Sequence, residues 1–164
     1  MAKKENVEDL TNQTYYLLSR NRLDEAEEMC LKILSIDSKN VKALSNMGFI
    51  KYFQNQFQEG LDYCDKVLKI LPNDSYSHKG KGLHLIKLGK IDEGIEFLKK
   101  AIELDPDFMD AYHDLAFSLY ENSRFEEARK YILKAGKRPG AKDKDFRKRL
   151  INLLELVDKK ICES

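Results

Sequence analysis

Residues 55–72 read NQFQEGLDYCDKVLKILP and residues 89–106 read GKIDEGIEFLKKAIELDP, so Gly60 and Gly94, Leu61 and Ile95, and Pro72 and Pro106 each fall 34 positions apart. A fixed period of this size limits the fold more than any single residue does, because each copy must be one structural unit that buries its apolar face against the next. At that interval the chain divides into copies at 7–40, 41–74, 75–108 and 109–140. The eighth position holds Thr14, Gly48, Gly82 and Ala116, and the twentieth holds Ala26, Gly60, Gly94 and Ala128, all small. The seventeenth holds Leu23, Phe57, Ile91 and Phe125, and the twenty-seventh Ile33, Val67, Ala101 and Ala135, all apolar. Small residues at matched positions let two helix backbones come close, and the larger apolar ones fill the space to the next copy. Each copy is therefore expected to be a helical hairpin. In copy three the first helix is expected at about 76–87, a turn around Gly89, and the second helix at about 92–104, stopped by Pro106.

With Gly82, Leu85, Gly89, Ala101 and Pro106 in copy three and Tyr112, Leu115, Ala116, Ala128 and Ala135 in copy four, the pattern resembles the tetratricopeptide repeat, W-x2-L-G-x2-Y, then A-x3-F, then P. The resemblance implies an all-α, right-handed superhelix of four hairpins whose first helices line a concave groove. There are departures: Ser38 replaces the terminal proline of copy one, Pro139 of copy four arrives one residue early, and Gln13, Lys51 and Lys81 stand at usually apolar positions. A lysine there is expected to lay its stem on apolar surface with its charge in water. After the copies, residues 143–162 read as a ninth helix with Phe146, Leu150, Leu153, Leu154, Val157 and Ile161 on one stripe. An array exposes an apolar face at its last hairpin, and a capping helix covers it. Self-association through the stripe, or its insertion into the chain's own groove, are the alternatives.

Composition bounds the function classes. With 164 residues, 42% hydrophobic and 35% charged, the chain is expected to be folded and soluble with a single continuous core. The stretch MAKKENVEDL has no apolar leader pattern and no run reaches the roughly 18 apolar residues of a membrane span, so a cytoplasmic location is expected. Cys30, Cys64 and Cys162 are odd in number and widely spaced, which fits reduced thiols and disfavours a disulfide framework or zinc ribbon. Residues 134–160 hold ten Lys or Arg against four Asp or Glu, leaving the preceding residues net acidic. Without interleaved aromatics that basic end reads as a solvated helix face, with neither nucleic-acid binding nor membrane insertion expected.

Function must lie in what varies between copies. The resemblance implies that positions 2, 5, 9 and 12 of each repeat face the groove: Glu8, Lys42, Tyr76 and Asp110; Thr11, Ser45, Lys79 and His113; Tyr15, Phe49, Leu83 and Phe117; Leu18, Tyr52, Ile86 and Tyr120. The last two rows are wholly apolar or aromatic and share a helix face, predicting an apolar stripe that binds a partner. Packing between helices is the competing role for position 12. The candidate partner-binding residues are Tyr15, Leu18, Lys42, Ser45, Phe49, Tyr52, Tyr76, Lys79, Leu83, Ile86, His113, Phe117 and Tyr120, with Lys42, Lys79 and His113 meeting acidic or carbonyl groups of the ligand.

The best-known ligand of such grooves is an acidic chaperone tail held by Lys, Asn or Arg at five fixed positions. In the two possible registers those positions hold Thr11, Tyr15, Asn46, Tyr76 and Gly80, or Ser45, Phe49, Gly80, Asp110 and Asp114, and only Asn46 fits. A carboxylate buried there would lack its cation, so clamp binding of that kind is not expected. His78, His84 and His113 occupy different repeat positions, and no HExxH, CxxC or phosphate loop accompanies them, so neither catalysis nor a cofactor or metal is expected. The sequence predicts a non-catalytic adaptor or scaffold that binds a peptide or helix of another protein. The alternative is a structural module that self-assembles through its array ends or last helix.

Overall fold

The computed structural model describes residues 6–163, and the first residues of MAKKENVEDL lie outside the described residues. The described residues are all helical and turn: α1 (Val7–Ser19), α2 (Leu23–Ile36), α3 (Val41–Phe53), α4 (Phe57–Ile70), α5 (Ser75–Lys87), α6 (Ile91–Leu104), α7 (Met109–Glu121), α8 (Phe125–Gly136), a 3-10 turn (Pro139–Lys142) and α9 (Lys144–Glu163). Successive pairs pack as hairpins, α1 on α2, α3 on α4, α5 on α6 and α7 on α8.

The period is written into the turns. Each hairpin turns on a residue in the left-handed region: Asn21 at φ 56°, Asn55 at 59°, Gly89 at 82° and Ser123 at 59°. The next residue's N–H then reaches back to a carbonyl five residues earlier: Arg22 to Leu17 at 2.9 Å, Gln56 to Lys51 at 2.8 Å, Lys90 to Leu85 at 2.9 Å and Arg124 to Leu119 at 2.9 Å. This bond, with the left-handed residue before it, satisfies carbonyls that the end of the first helix leaves unpaired. Glycine adopts that conformation without strain and asparagine tolerates it, whereas serine at 123 carries a steric cost.

The starts of α1, α3, α5 and α9 are fixed by side chains. The Asp9 N–H donates to Asn6 Oδ1 at 2.8 Å, Ala43 N–H to Asn40 Oδ1 at 3.1 Å, Ser77 N–H to Asp74 Oδ2 at 2.7 Å and Phe146 N–H to Asp143 Oδ1 at 2.7 Å. Second helices open without such a cap but with acids in the first turn, such as Asp24 and Glu25 in α2 or Glu126 and Glu127 in α8. Carboxylates there favour the positive end of the helix dipole.

Composition led to the expectation of one continuous core, and the chain instead divides into two compact units, one through Pro72 and one from Asn73. In a repeat array a hairpin touches only its neighbours, so buried contacts gather locally. The first unit's cluster includes Leu10, Leu17, Cys30, Ile33, Met47 and Ile50. The second unit's includes Leu98, Tyr112, Leu115, Leu119, Ile132 and, from α9, Phe146, Leu150, Leu153 and Val157. α9 packs on α8 and α7, pinned by Arg129–Asp158 at 2.8 Å and Arg149–Asp110 at 3.3 Å. Its stripe therefore covers apolar residues of the α7–α8 hairpin, at about 2 kcal/mol for each large side chain fully buried.

Lys51 departs from expectation. Its ammonium is not in water: the side chain is buried, with Nζ 2.6 Å from Glu27 Oε1, 2.7 Å from Gln56 Oε1 and 3.5 Å from Glu59 Oε2. Burial opposes the charge of Glu27, but hydrogen bonds from Lys51 and Gln54 outweigh it and hold the carboxyl below its ordinary range. Burial likewise works against Lys51, and its bond to Glu27 raises it above the usual lysine value.

Candidate functional site

In the first unit, Tyr15 of α1 and Phe49 of α3 project into solvent from the ninth repeat position; in the second unit Phe117 of α7 does the same. They are 48%, 38% and 42% exposed. Leu83, the fourth member of that row, is instead half-buried and packed on the second unit's core. The twelfth position behaves differently throughout. Leu18, Tyr52, Ile86 and Tyr120 are all half-buried, Leu18 packs on the first unit's core, and Ile86 and Tyr120 pack on the second's. Tyr52 meets Phe57 at 5.8 Å between ring centroids and Tyr120 meets Phe125 at the same distance, so position 12 packs on position 17 across the hairpin turn.

A cleft of about 580 Å³ opens in the first unit between α1 and the start of α3. Glu8, Thr11 and Tyr15 line one wall, with Asn40, Val41 and Lys42 opposite. Lys42 is exposed and has no ion pair among the described residues. Further along α3, Phe49 and Phe53 stand 4.7 Å apart and Tyr52 meets Phe53 edge-on at 5.6 Å, beside the half-buried Ser45 one helical turn away from Phe49. Tyr15 thus shares a cleft with Lys42, and Phe49 and Tyr52 are brought together through Phe53.

In the second unit the polar candidates are already engaged. Lys79 Nζ lies 3.2 Å from Asp114 Oδ2, and sits 5.5 Å from the Tyr76 ring centroid and 5.6 Å from that of Phe108. Tyr76 and Phe108 stack at 6.4 Å. The role expected of Lys79, meeting a ligand's acidic group, is thus occupied from within the chain by a carboxylate and two rings. His113 stacks on Phe117 at 6.3 Å with planes 3° apart, and its Nδ1 is 3.8 Å from Asp114. Burial tends to raise the Asp114 carboxyl, but His113 and Lys79 together bring it below its ordinary range.

Three contributors were absent from the sequence-based set. Phe53 follows Tyr52 at the end of α3, one step beyond the twelfth position, yet is an exposed ring. Phe108 is the residue preceding α7, in what the period treats as a connection. Asp114 occupies the sixth position, tested only for a cation. The signal that could have found it was an acid one helical turn before the ring of Phe117.

The nucleophile and ligand candidates do not converge. His78 stacks on Phe97 at 5.7 Å, His84 is buried in α5, and His113 lies on Phe117. Burial pushes the Cys30 thiol up to about 11, so it stays protonated near neutral pH. Cys64 is buried and Cys162 exposed. No group of three or more His, Cys, Asp or Glu among the described residues is placed to hold a metal ion. No helix among them is long and apolar enough to cross a membrane.

A family model described as TPR repeat matches residues 82–123. No curated protein matches the chain by sequence. Among solved structures, the fold is similar to TTC0263, a thermophilic TPR protein in Thermus thermophilus, with a TM-score of 0.80 at 12% identity over 96% of this chain and 89% of that one. It is also similar to MamA 41-end from Desulfovibrio magneticus RS-1, with a TM-score of 0.73 at 21% identity over 85% of this chain and 79% of that one. A third similar structure is YrrB, described as a TPR protein with an unusual peptide-binding site, with a TM-score of 0.66 at 19% identity over 96% of this chain and 88% of that one.

Proposed function

We propose that this tetratricopeptide-repeat protein is a non-catalytic adaptor, each of whose two compact units offers exposed rings of its first helices to a short segment of a partner protein. The observation that carries this reading is the solvent exposure of Tyr15, Phe49 and Phe117 at one repeat position. Exposed rings at a recurring site are the groups that anchor interfaces, because a ring buries large apolar area with few rotatable bonds. Three residues on from each ring, on the same helix face, stands the half-buried residue of position 12.

The polar work divides between the units. Lys42, on the rim of the first unit's cleft, is the cation available to an acidic or carbonyl group of the partner, and Ser45 offers a hydroxyl on the same helix. Lys79 serves instead to hold Tyr76 and Phe108 in place, and His113 supports Phe117 from behind. Leu83, Ile86, Leu18, Tyr52 and Tyr120 shape the apolar ground beneath them. A similar fold described as having a peptide-binding site supports this reading at the level of architecture.

The test is selection from a displayed library of random peptides on the intact chain, with the Phe49→Ala, Phe117→Ala double variant as counter-selection. Peptides that bind the chain and are lost on the variant support the adaptor. Enrichment of the same peptides on both, or a mass that rises with concentration through the same rings, contradicts it and favours self-assembly.

A further inference from the structure

A second recess, which shares no residue with the first-helix rings, lies in the second unit where α8, the 3-10 turn and α9 meet. Its volume is about 710 Å³, enough for several side chains. The floor is aliphatic, made by Ile132, Leu133, Leu150, Ile151 and Leu154. Two of these are exposed, Leu133 at 42% and Ile151 at 47%. The rim is cationic: Lys137, Arg138, Lys142 and Arg147 all line the recess, and no Asp or Glu does. None of these four has an ion pair among the described residues, although Arg129 and Arg149, on the same two helices, are each paired. The nearby Asp143 is committed to capping Phe146.

We infer that this recess is a docking site for a short acidic segment of a partner protein, one carrying aliphatic side chains flanked by carboxylates. Four like charges around an uncovered apolar floor repel one another, and an anionic partner relieves that repulsion while covering the floor. The chemistry narrows the class of partner. A single-stranded nucleic acid needs aromatic platforms for its bases, and the floor has none. A bilayer could also take up exposed aliphatic groups beside cations, so vesicles form a separate arm of the test. The site is separate from the rings assigned to the adaptor function, so either can fail without the other.

The probe is a short fluorescein-labelled peptide with Leu at helical spacing and Glu between, its counterpart with Lys for Glu, and vesicles containing phosphatidylserine. By fluorescence anisotropy the Glu peptide should bind, more weakly as salt rises, and the Lys peptide should not. Lys137→Glu with Arg147→Glu should weaken binding at least about tenfold, and Leu133→Ser with Ile151→Ser by a similar factor. Phe49→Ala with Phe117→Ala should leave it unchanged. Circular dichroism should show both recess variants as helical as the parent, since the altered side chains are at the surface. Equal binding of both peptides, indifference to both recess variants, or binding of vesicles alone would overturn the assignment. So would a concentration-dependent dimer abolished by the recess variants in the absence of peptide binding, which would make the recess an interface between copies.

Discussion

Gly82 and Gly94 face each other across the α5–α6 hairpin at backbone contact: a Cβ on Gly82 would stand 2.7 Å from the Gly94 carbonyl oxygen, and one on Gly94 2.6 Å from that of Gly82. The equivalent residue one repeat earlier is looser. A Cβ on Gly48 would meet Cys64 Sγ at 3.4 Å and the Gly60 carbonyl at 3.7 Å, which is ordinary contact. Two effects compete when a helical glycine becomes alanine: relief of backbone entropy, worth roughly 0.5–1 kcal/mol, and overlap, costing about 1–3 kcal/mol. Gly48→Ala should therefore stabilise the chain slightly, and Gly82→Ala should destabilise it by about 2 kcal/mol. Urea unfolding of the two variants checks the opposite signs.

The Lys51–Glu27 pair makes a pH-dependent prediction. Removing the charge by Glu27→Gln leaves Lys51 buried with a weaker partner, at about 2 kcal/mol for a charged hydrogen bond. The folded-state pKa of Glu27 lies below its ordinary value of 4.5, so its contribution is complete above that value and fades as pH falls through the lower, folded one. The difference in stability between parent and variant should be full at neutral pH and shrink steadily below pH 4.5. Denaturant unfolding across that range measures it. A difference that stays constant into strong acid would mean the variant acts through packing.

At the third prediction site the backbone alone decides. Ser123 occupies the left-handed position that Gly89 fills in the preceding hairpin. A non-glycine residue there costs roughly 1–2 kcal/mol, against roughly 0.5–1 kcal/mol of extra backbone entropy that a glycine loses on folding, so Ser123→Gly should raise the melting temperature of the chain slightly while leaving its helix content unchanged. A fall in melting temperature would show that the left-handed strain at Ser123 is smaller than the entropy glycine loses on folding.

The period of 34 made the hairpins legible because turn, close approach and core filler all recur with it. The small residues at positions 8 and 20 and the apolar stripe of α9 were visible for the same reason. What was hidden depends on contacts between residues that the period does not align. Glu27 and Lys51 are 24 residues apart, and only the packing of α2 on α3 joins them. Lys79 reads as a free groove cation until Asp114 is seen 3.2 Å away. The pattern at position 12 could not by itself say that Tyr52 and Tyr120 meet the rings of Phe57 and Phe125 across their own hairpin turns. Phe53 and Phe108 lie just outside the positions a repeat assigns to its surface, so a register-based search passes over them.

Fluorine NMR of the chain carrying 4-fluorophenylalanine at 49 and 117 tests the adaptor account most directly. Each ring should show a clear part of the shift of a free fluorophenylalanine between light and heavy water in the isolated chain, in keeping with exposures of 38% and 42%, and lose it when a peptide selected on that ring is added. Rings that are shielded from solvent before any peptide is present would contradict the account.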